Sequence, residues 1–476
     1  MIDRLSLLDE ALLRLEGPDA PMHVGWTLLM EGEPPSFEQL THRVADRLEL
    51  LPRLRRRVMT SPLHHPLWVD DPGFDLRYHV ARLEIPRPGG SRELRGLVGA
   101  VLSEPLDPER PLWRLYLLEG LRGGGFAMVA KAHHALVDGL AAVQLARLLV
   151  IDEAARRPRT AGYYVPAGEP ALAERLLAAA VDYGRLGRSV ATAGAKAIAK
   201  PGTAAGALRR IAGTLAPYAI KPAPAIALNE AHGGTRSVAF AELPLAAAEA
   251  IGARRLATVT DVVLATAGLA LGRHLSRPGD RVSRLRVLCP ISTRAGADAS
   301  ALGNQISFLL VELPVSQADP RAALAEVACQ MAEHERLRST EVLDGVLALA
   351  KALPLPVRDG IARYVTARRA FNTIIALVPG PSQPVHVFGR LVRAAYPAVP
   401  LPRAHGLSIG VLSYRERLHV GLSADPAVVP DLQALARDLT SSFDALRLAV
   451  LHPAGARPRA ARGASRSRAR GRLTPV

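Results

Sequence analysis

The chain has 476 residues, of which 49% are hydrophobic and 22% charged, with a formal net charge of +16 and two cysteines. The length exceeds one ordinary core, so two or three domains are expected, and the composition is that of a globular chain. Cys289 and Cys329 lie far apart in apolar surroundings, which argues against a disulfide framework and fits a reducing compartment. The N-terminus opens with Asp3, Arg4, Asp9 and Glu10 and lacks a charged-then-apolar signal layout, so no secretion signal is expected. The longest apolar run, Val262 to Gly272, is shorter than the roughly 20 residues that span a bilayer.

Ser6-x-x-Asp9 opens a short apolar helix, Met22 to Met30 reads as a strand, and Ser36-x-x-Gln39 has the capping-box layout before Phe37, Leu40, Val44 and Leu48. Such strands and helices alternate to about Glu153. Residues 154 to 234 are rich in Ala, Gly and Pro and read as a linker, within which Ala171 to Ala199 fits one long amphipathic helix. Beyond Arg236, strands are predicted at Ser237 to Leu243, Arg284 to Leu288, Ile306 to Leu313, Thr373 to Val378 and His419 to Leu422. Helices are predicted at Thr260 to Leu271, Pro320 to Arg338 and Asp431 to Leu446. From Ala454 to Val476 there are seven Arg and no acidic residue, a pattern of disorder that is either a solvated extension or an electrostatic contact with anionic lipid. Nucleic acid is not expected as a partner, because no aromatic residue is interleaved in that tail and no nucleic-acid fold motif accompanies it.

Residues 133 to 139 read His-His-Ala-Leu-Val-Asp-Gly. An apolar run from Phe126 to Ala132 precedes them, and Leu140, Val143, Leu148 and Ile151 follow at helical spacing, so the heptapeptide sits at a strand, turn and helix start. That layout presents His134 as a fixed general base. Asp138 falls at the N-cap and braces the loop, and Gly139 allows a close backbone approach or a clash-free helix start. Taken singly, a strand-end His is more often a hydrogen-bonded structural residue and an Asp before a helix more often a cap. The joint pattern is what points to chemistry, and His64-His65, which lacks the spaced Asp and Gly, reads as structural. A metal is not expected: His-Glu-x-x-His is absent, and adjacent residues on a strand point to opposite faces, so His133 and His134 do not easily share an ion.

Through this heptapeptide the chain resembles the bacterial wax ester synthase/diacylglycerol acyltransferase family, marked by His-His-x-x-x-Asp-Gly. It is more distantly similar to chloramphenicol acetyltransferase, carnitine acyltransferases and peptide-synthetase condensation domains. Leu5-Ser6-Leu7-Leu8-Asp9, Pro21-Met22-His23-Val24-Gly25 and Pro111-Leu112-Trp113 resemble family blocks in the first half. Pro290-Ile291-Ser292-Thr293-Arg294, Gly303-Asn304-Gln305-Ile306-Ser307, Val378-Pro379-Gly380-Pro381, Tyr396-Pro397 and Leu418-His419-Val420-Gly421-Leu422 do so in the second. Two departures stand out. Thr260-Asp261 replaces the family's Asn-Asp, and Ala376-Leu377 replaces its Ser-Asn.

The resemblance implies an α/β fold of two chloramphenicol acetyltransferase-like sandwich domains flanking a central active-site tunnel, joined by a helical linker. The divisions expected are an N-terminal acyltransferase domain over 1–153, the linker over 154–234, a C-terminal acyltransferase domain over 235–452 and the Arg-rich tail over 453–476. It also implies an O-acyltransferase that moves a long-chain acyl group from acyl-CoA to diacylglycerol or a long-chain alcohol. His134 is then the general base, His133 supports it, and Asp138 and Gly139 complete the motif. Pro111, Leu112, Trp113, Thr260 and Asp261 are candidate substrate-binding residues, and Arg53, Arg55, Arg56 and Arg57 either meet the coenzyme A phosphates or form a solvated charge run. No cofactor is implied beyond acyl-CoA as substrate. The location implied is cytoplasmic, with peripheral contact to the inner membrane face or to lipid inclusions. The two departures keep open a non-catalytic homologue that binds acyl-CoA or lipid, and the superfamily keeps open a condensation-type enzyme using a carrier-protein thioester.

Overall fold

The computed structural model describes residues 3–61, 65–152, 164–202, 205–206, 209, 221–230, 233–275, 282–292, 306–337, 339, 360 and 369–452. In chain order the first half carries β1 (Asp3–Arg4), α1 (Leu7–Leu15), β2 (His23–Met30), α2 (Phe37–Leu48), β3 (Arg56–Met59), β4 (Leu67–Asp70), α3 (Leu76–His79), β5 (Val80–Glu84), α4 (Ser91–Ser103), β6 (Trp113–Glu119), β7 (Phe126–His133) and α5 (Gly139–Leu149). α6 (Leu172–Ala199) follows, then β8 (Ser237–Pro244), α7 (Leu245–Arg255), α8 (Val259–His274), β9 (Arg284–Ser292), β10 (Ile306–Pro314) and α9 (Pro320–Arg336). The chain closes with β11 (Thr373–Pro379), β12 (His386–Val387), β13 (Arg390–Ala398), β14 (Leu407–Tyr414), β15 (Arg417–Ala424) and α10 (Leu432–Leu451). The expected capping boxes are present: Ser6 pairs with Asp9, and Ser36 with Gln39. Each satisfies helix N–H groups that have no partner inside the helix.

Two six-stranded mixed sheets form the body, in the orders β12-β13-β2-β7-β6-β5 and β10-β9-β11-β14-β15-β8, and a three-stranded sheet β1-β4-β3 lies beside them. α2 and α5 cover one face of the first sheet through Leu40, Val44, Ala141 and Leu149, and α4 covers the other through Leu94, Val98 and Leu102. On the second sheet α8 is buried on nearly every side, with Val262 to Leu271 in the core beside α10. The sheet of the first half takes β12 and β13 from residues 386–398, so a strand of the second half completes it. β13 pairs antiparallel with β2 from Ala398 opposite Gly25 to Val392 opposite Met30.

That crossing is made possible by a notch. Gly410 and Gly421 are register partners on β14 and β15, and Pro397 of β13 lies against both. A methyl group on Gly421 would stand 1.9 Å from the Pro397 carbonyl oxygen, and one on Gly410 would stand 3.0 Å from Pro397 Cγ. The sequence blocks Tyr396-Pro397 and Leu418 to Leu422 thus form one contact.

α6 is an exposed helix. Leu172, Leu176, Leu177 and Val181 remain in solvent, while Ala179 is buried. No single helix among the described residues is long and apolar enough to cross a membrane; α7 and α8 together have the length but meet at 100°, and α8 is core. His64, Thr293-Arg294, Gly303 to Gln305 and the Arg-rich tail lie outside the described residues. Because the Gly421 notch faces backbone and not a yielding side chain, Gly421→Ala is expected to destabilise the fold by about 3 kcal/mol. A lowered urea midpoint with an unchanged slope would register it.

Candidate active site

The two histidines end β7, and their backbones are held from both sides. His133 N–H donates to the Leu112 carbonyl at 2.9 Å, and His134 N–H donates to the Met22 carbonyl at 2.8 Å. The turn then closes as Leu136 N–H reaches the His133 carbonyl at 2.9 Å. Asp138, 1% exposed, caps α5: its Oδ1 accepts the Ala141 N–H at 2.8 Å. Gly139 begins that helix directly under β11, where a Cβ would lie 2.7 Å from Val378 Cγ2. The glycine is therefore a contact requirement between the halves, and it brings Val378-Pro379-Gly380 to the motif.

The two imidazoles differ in burial and in the contacts described for them. His133 is fully buried, and its Nδ1 accepts the Ala135 N–H at 2.9 Å, so the hydrogen-bond network assigns its proton to Nε2. Nε2 stands 3.2 Å from Glu16 Oε2, an ion-pair distance somewhat off the line of a good hydrogen bond. The His133 Nδ1 is thus engaged within the turn. His134 is half-buried.

Two further basic groups secure the same strand end from behind. Lys131, 1% exposed, donates from Nζ to the Val101 and Glu104 carbonyls at 2.8 and 2.6 Å, and His23, opposite His133 in the ladder, has Nε2 at 2.8 Å from the Leu102 carbonyl. These carbonyls belong to the C-terminal end of α4, where a helix leaves acceptors unmatched and favours cations. Burial pushes the Lys131 ammonium down to about 8, with the Glu104 carboxylate at 3.6 Å opposing the shift. Burial, with Lys131 nearby, drives His23 down to about 3. Lys131 carried no local signal in the sequence beyond its place near a strand end, and His23 was marked only by the Pro21 to Gly25 block.

The Pro111-Leu112-Trp113 block is buried and does its work through the backbone and one ring. Leu112 supplies the carbonyl that holds His133. Trp113 Nε1–H donates to the Leu54 carbonyl at 2.7 Å, and its indole stacks on His79 at 4.5 Å between ring centroids. His79 Nδ1 lies 2.8 Å from the Trp113 carbonyl, and burial takes the imidazole down to about 4. Thr260 and Asp261 sit on the first turn of α8. Asp261 is 3% exposed, and its Oδ2 accepts the Thr258 N–H at 2.7 Å, so this carboxylate serves a capping box. The hydrogen bonds described for Asp261 lie within that helix turn, and its Oδ1 is buried with no hydrogen-bond partner among the described residues. Ala376 and Leu377 lie in β11, just before the Val378 that touches Gly139.

The Arg53 to Arg57 run is engaged by protein groups. Arg53 and Arg56 meet Asp3 at 3.1 and 2.8 Å, Arg56 also meets Asp70, Arg57 meets Glu169, and Arg55 lies over the Tyr164 ring at 4.2 Å. Arg53, Arg56 and Arg57 are paired with carboxylates within the fold, which weakens the reading of this run as a coenzyme A phosphate site. Among the described residues no group of three or more His, Cys, Asp or Glu converges on a point that would hold a metal ion.

An apolar cavity of about 110 Å³ runs between the first sheet and α5. Its walls are Trp26, Leu28, Trp113, Met128 and Ala132 from the sheet, Ala142, Leu145, Ala146 and Leu149 from the helix, and Leu412 and Tyr414 from the second half. Ala132 and Val137, which flank His134 in the chain, are part of the lining.

Comparison with known proteins agrees with this arrangement. The profile of the wax ester synthase/diacylglycerol acyltransferase catalytic domain matches residues 5–263, and that of the corresponding C-terminal domain matches residues 302–447. The chain is 30% identical over 446 residues to the probable diacylglycerol O-acyltransferase tgs1 of Mycobacterium tuberculosis, covering 92% of this chain and 94% of that one. It is 31% identical to tgs2 of the same organism, covering 94% of this chain and 100% of the relative. Among solved structures, the wax ester synthase/diacylglycerol acyltransferase from Marinobacter aquaeolei VT8 superimposes with a TM-score of 0.67 at 26% identity, covering 94% of this chain and 99% of that one. The first condensation domain of the calcium-dependent antibiotic synthetase shares the fold, with a TM-score of 0.62 at 16% identity over 95% and 97% of the two chains.

His23 and His79 fold in the neutral form, with values of about 3 and about 4 against an ordinary 6.5. Above pH 6.5 both are neutral whether folded or not. Below it the unfolded chain binds protons that the fold refuses, so stability falls as pH drops from about 6.5 towards 4, by up to about 1.4 kcal/mol per pH unit per histidine. Urea midpoints measured from pH 7 to 5 are expected to decline, and His79→Phe is expected to make the decline shallower.

Proposed function

Because this chain belongs to the wax ester synthase/diacylglycerol acyltransferase family and is an acyltransferase of that kind, we propose that it moves a long-chain acyl group from acyl-CoA to a hydroxyl of diacylglycerol or of a long-chain alcohol, with His134 as general base. The observation that carries this reading is the apolar cavity beside the motif. Met128, Ala130 and Ala132 of β7 line the cavity, as does Val137 beyond the turn, so the cavity borders the segment that carries His134. An apolar cavity beside the motif suits a reaction whose substrates are mostly hydrocarbon.

The step is a single acyl transfer. His134 takes the proton of the acceptor hydroxyl as its oxygen attacks the thioester carbonyl, the tetrahedral intermediate collapses with cleavage of the C–S bond, and the imidazolium returns the proton to the departing thiolate. Atoms and charge balance with no cofactor. His133 is a poor candidate for this role because its ring is committed at Nδ1. Asp138 is placed to hold the helix start and the loop in register, and not to receive a proton. A lipid acceptor also favours contact with a membrane or lipid inclusion, and the exposed leucines of α6 provide an apolar surface for it. A cytoplasmic location with such peripheral contact is the reading we adopt.

Coenzyme A release from palmitoyl-CoA, with diacylglycerol or hexadecanol as acceptor and the lipid product identified, tests the reading. His134→Ala is expected to lower turnover by roughly 10²–10⁴-fold while the fold survives. Undiminished turnover in that variant would remove His134 from the mechanism, and acceptor-independent or absent release by the folded wild-type protein would favour the non-catalytic binder. A carrier-protein thioester accepted in preference to acyl-CoA would favour the condensation-type reading.

The cavity makes a separate prediction. Ala142 and Ala146 are one turn apart on the lining face of α5, so Ala146→Leu fills volume that a long chain would occupy. Rates with octanoyl-CoA are expected to hold while rates with palmitoyl-CoA fall about tenfold, given the roughly 0.8 kcal/mol carried by each buried methylene. Equal losses on both donors would place the acyl chain elsewhere.

A further inference from the structure

One carboxylate beside the motif has no part in the mechanism described so far. Glu16 follows α1, half-buried, at the turn that leads to Gly17-Pro18. Its Oε1 accepts the Met22 N–H at 3.3 Å, and its Oε2 stands 3.2 Å from His133 Nε2. Met22 in turn offers its carbonyl to the His134 N–H at 2.8 Å. A single side chain, 118 positions upstream of the general base, therefore ends on both of the residues that hold that base: its neighbour in the chain and its neighbour across the ladder.

The chemistry of the contact favours a dedicated role. His133 is fully buried and its Nδ1 is occupied by the Ala135 N–H, so its Nε2–H has Glu16 as the acceptor that faces it. The two stand at ion-pair distance without an aligned hydrogen bond, and removing the carboxylate would leave the buried Nε2–H facing no acceptor at all, so the ring has reason to turn. Turning it releases the Ala135 N–H and loosens the tight turn that carries His134. A carboxylate beside buried strand ends also carries a desolvation cost that an apolar side chain would avoid, so packing alone does not account for it.

We infer that Glu16 is a positioning residue for the general base: it fixes the tautomer and ring plane of His133 and the backbone of Met22, and through them the placement of His134. The inference rests on the proposed role of His134. It assigns Glu16 no contact with substrate, so its effect belongs to the chemical step and not to acyl-CoA binding.

The test is a double-mutant cycle on the full chain with palmitoyl-CoA and hexadecanol. Glu16→Gln keeps the shape but offers one acceptor in place of two, and Glu16→Ala offers none. The expected result is a graded fall in kcat, to about 10²-fold for Glu16→Ala, since small displacements of a catalytic group cost about that much. KM for palmitoyl-CoA is expected to stay within about threefold, and neither substitution should lower the residual rate further in a His134→Ala background, because groups acting as a unit are not additive. Unchanged kcat, a KM effect alone, or losses that multiply with that of His134→Ala would each overturn the inference. Should Glu16→Ala fail to fold, the isosteric Glu16→Gln decides by the same criteria. If His134→Ala itself retains full turnover, the base assignment has failed, and the Glu16 inference falls with it for that distinct reason.

Discussion

Backbone pairing along β2 is the constraint on which the architecture depends. A strand in the interior of a sheet must satisfy its N–H and C=O groups on both edges. β2 does so with β7 on one side and β13 on the other. The first partner carries the histidines, and the second belongs to the other half of the chain. The same ladder that positions His133 opposite His23 therefore also joins the halves, and it fixes where β11 arrives over Gly139. Disturbing the interlock would disturb the site, because both are built on one strand.

The two faces of β7 divide the work. Odd-numbered Lys131 and His133 turn towards polar partners at the end of α4 and at Glu16, while even-numbered residues face hydrocarbon. Lys131 Nζ and His23 Nε2 find carbonyl acceptors at the end of α4, which lets these polar groups lie buried without unravelling the strand. On the other side α5 offers alanines where bulkier residues would close the space. A polar backing and an apolar front thus meet at the strand end that carries the motif.

Much of this was legible in the sequence where the signal is local. The strand, turn and helix around residues 126–149, the N-cap at Asp138, both capping boxes and the long helix beginning near Ala171 follow from periodicity and cap chemistry within a few residues. What stayed hidden depends on partners distant in sequence. No pattern within 386–398 announces that it completes a sheet begun at residue 23. Gly139 reads as a close approach or a clash-free helix start, but what approaches it is unseen until Val378 is set over it, and Gly421 reads as an ordinary strand glycine until Pro397 crosses. At Asp261, singled out with Thr260 by its family block, one carboxylate oxygen caps its own helix and the other is buried without a hydrogen-bond partner. Glu16 had only its place between an apolar helix and a Gly-Pro turn, which many surface residues share.

The borrowed strand has a bearing on how substrates come and go. Enzymes that work in a cleft between two lobes commonly open by swinging one lobe away. Here six registered residue pairs between β13 and β2 would have to part before the lobes did, and a strand ladder that long does not break on the time scale of turnover. Entry and exit then fall to the loops and side chains that border the apolar cavity. A bulky, uncharged product would leave by sliding along a fixed wall, which makes the rim of this molecule, more than any hinge, the place where release can be tuned.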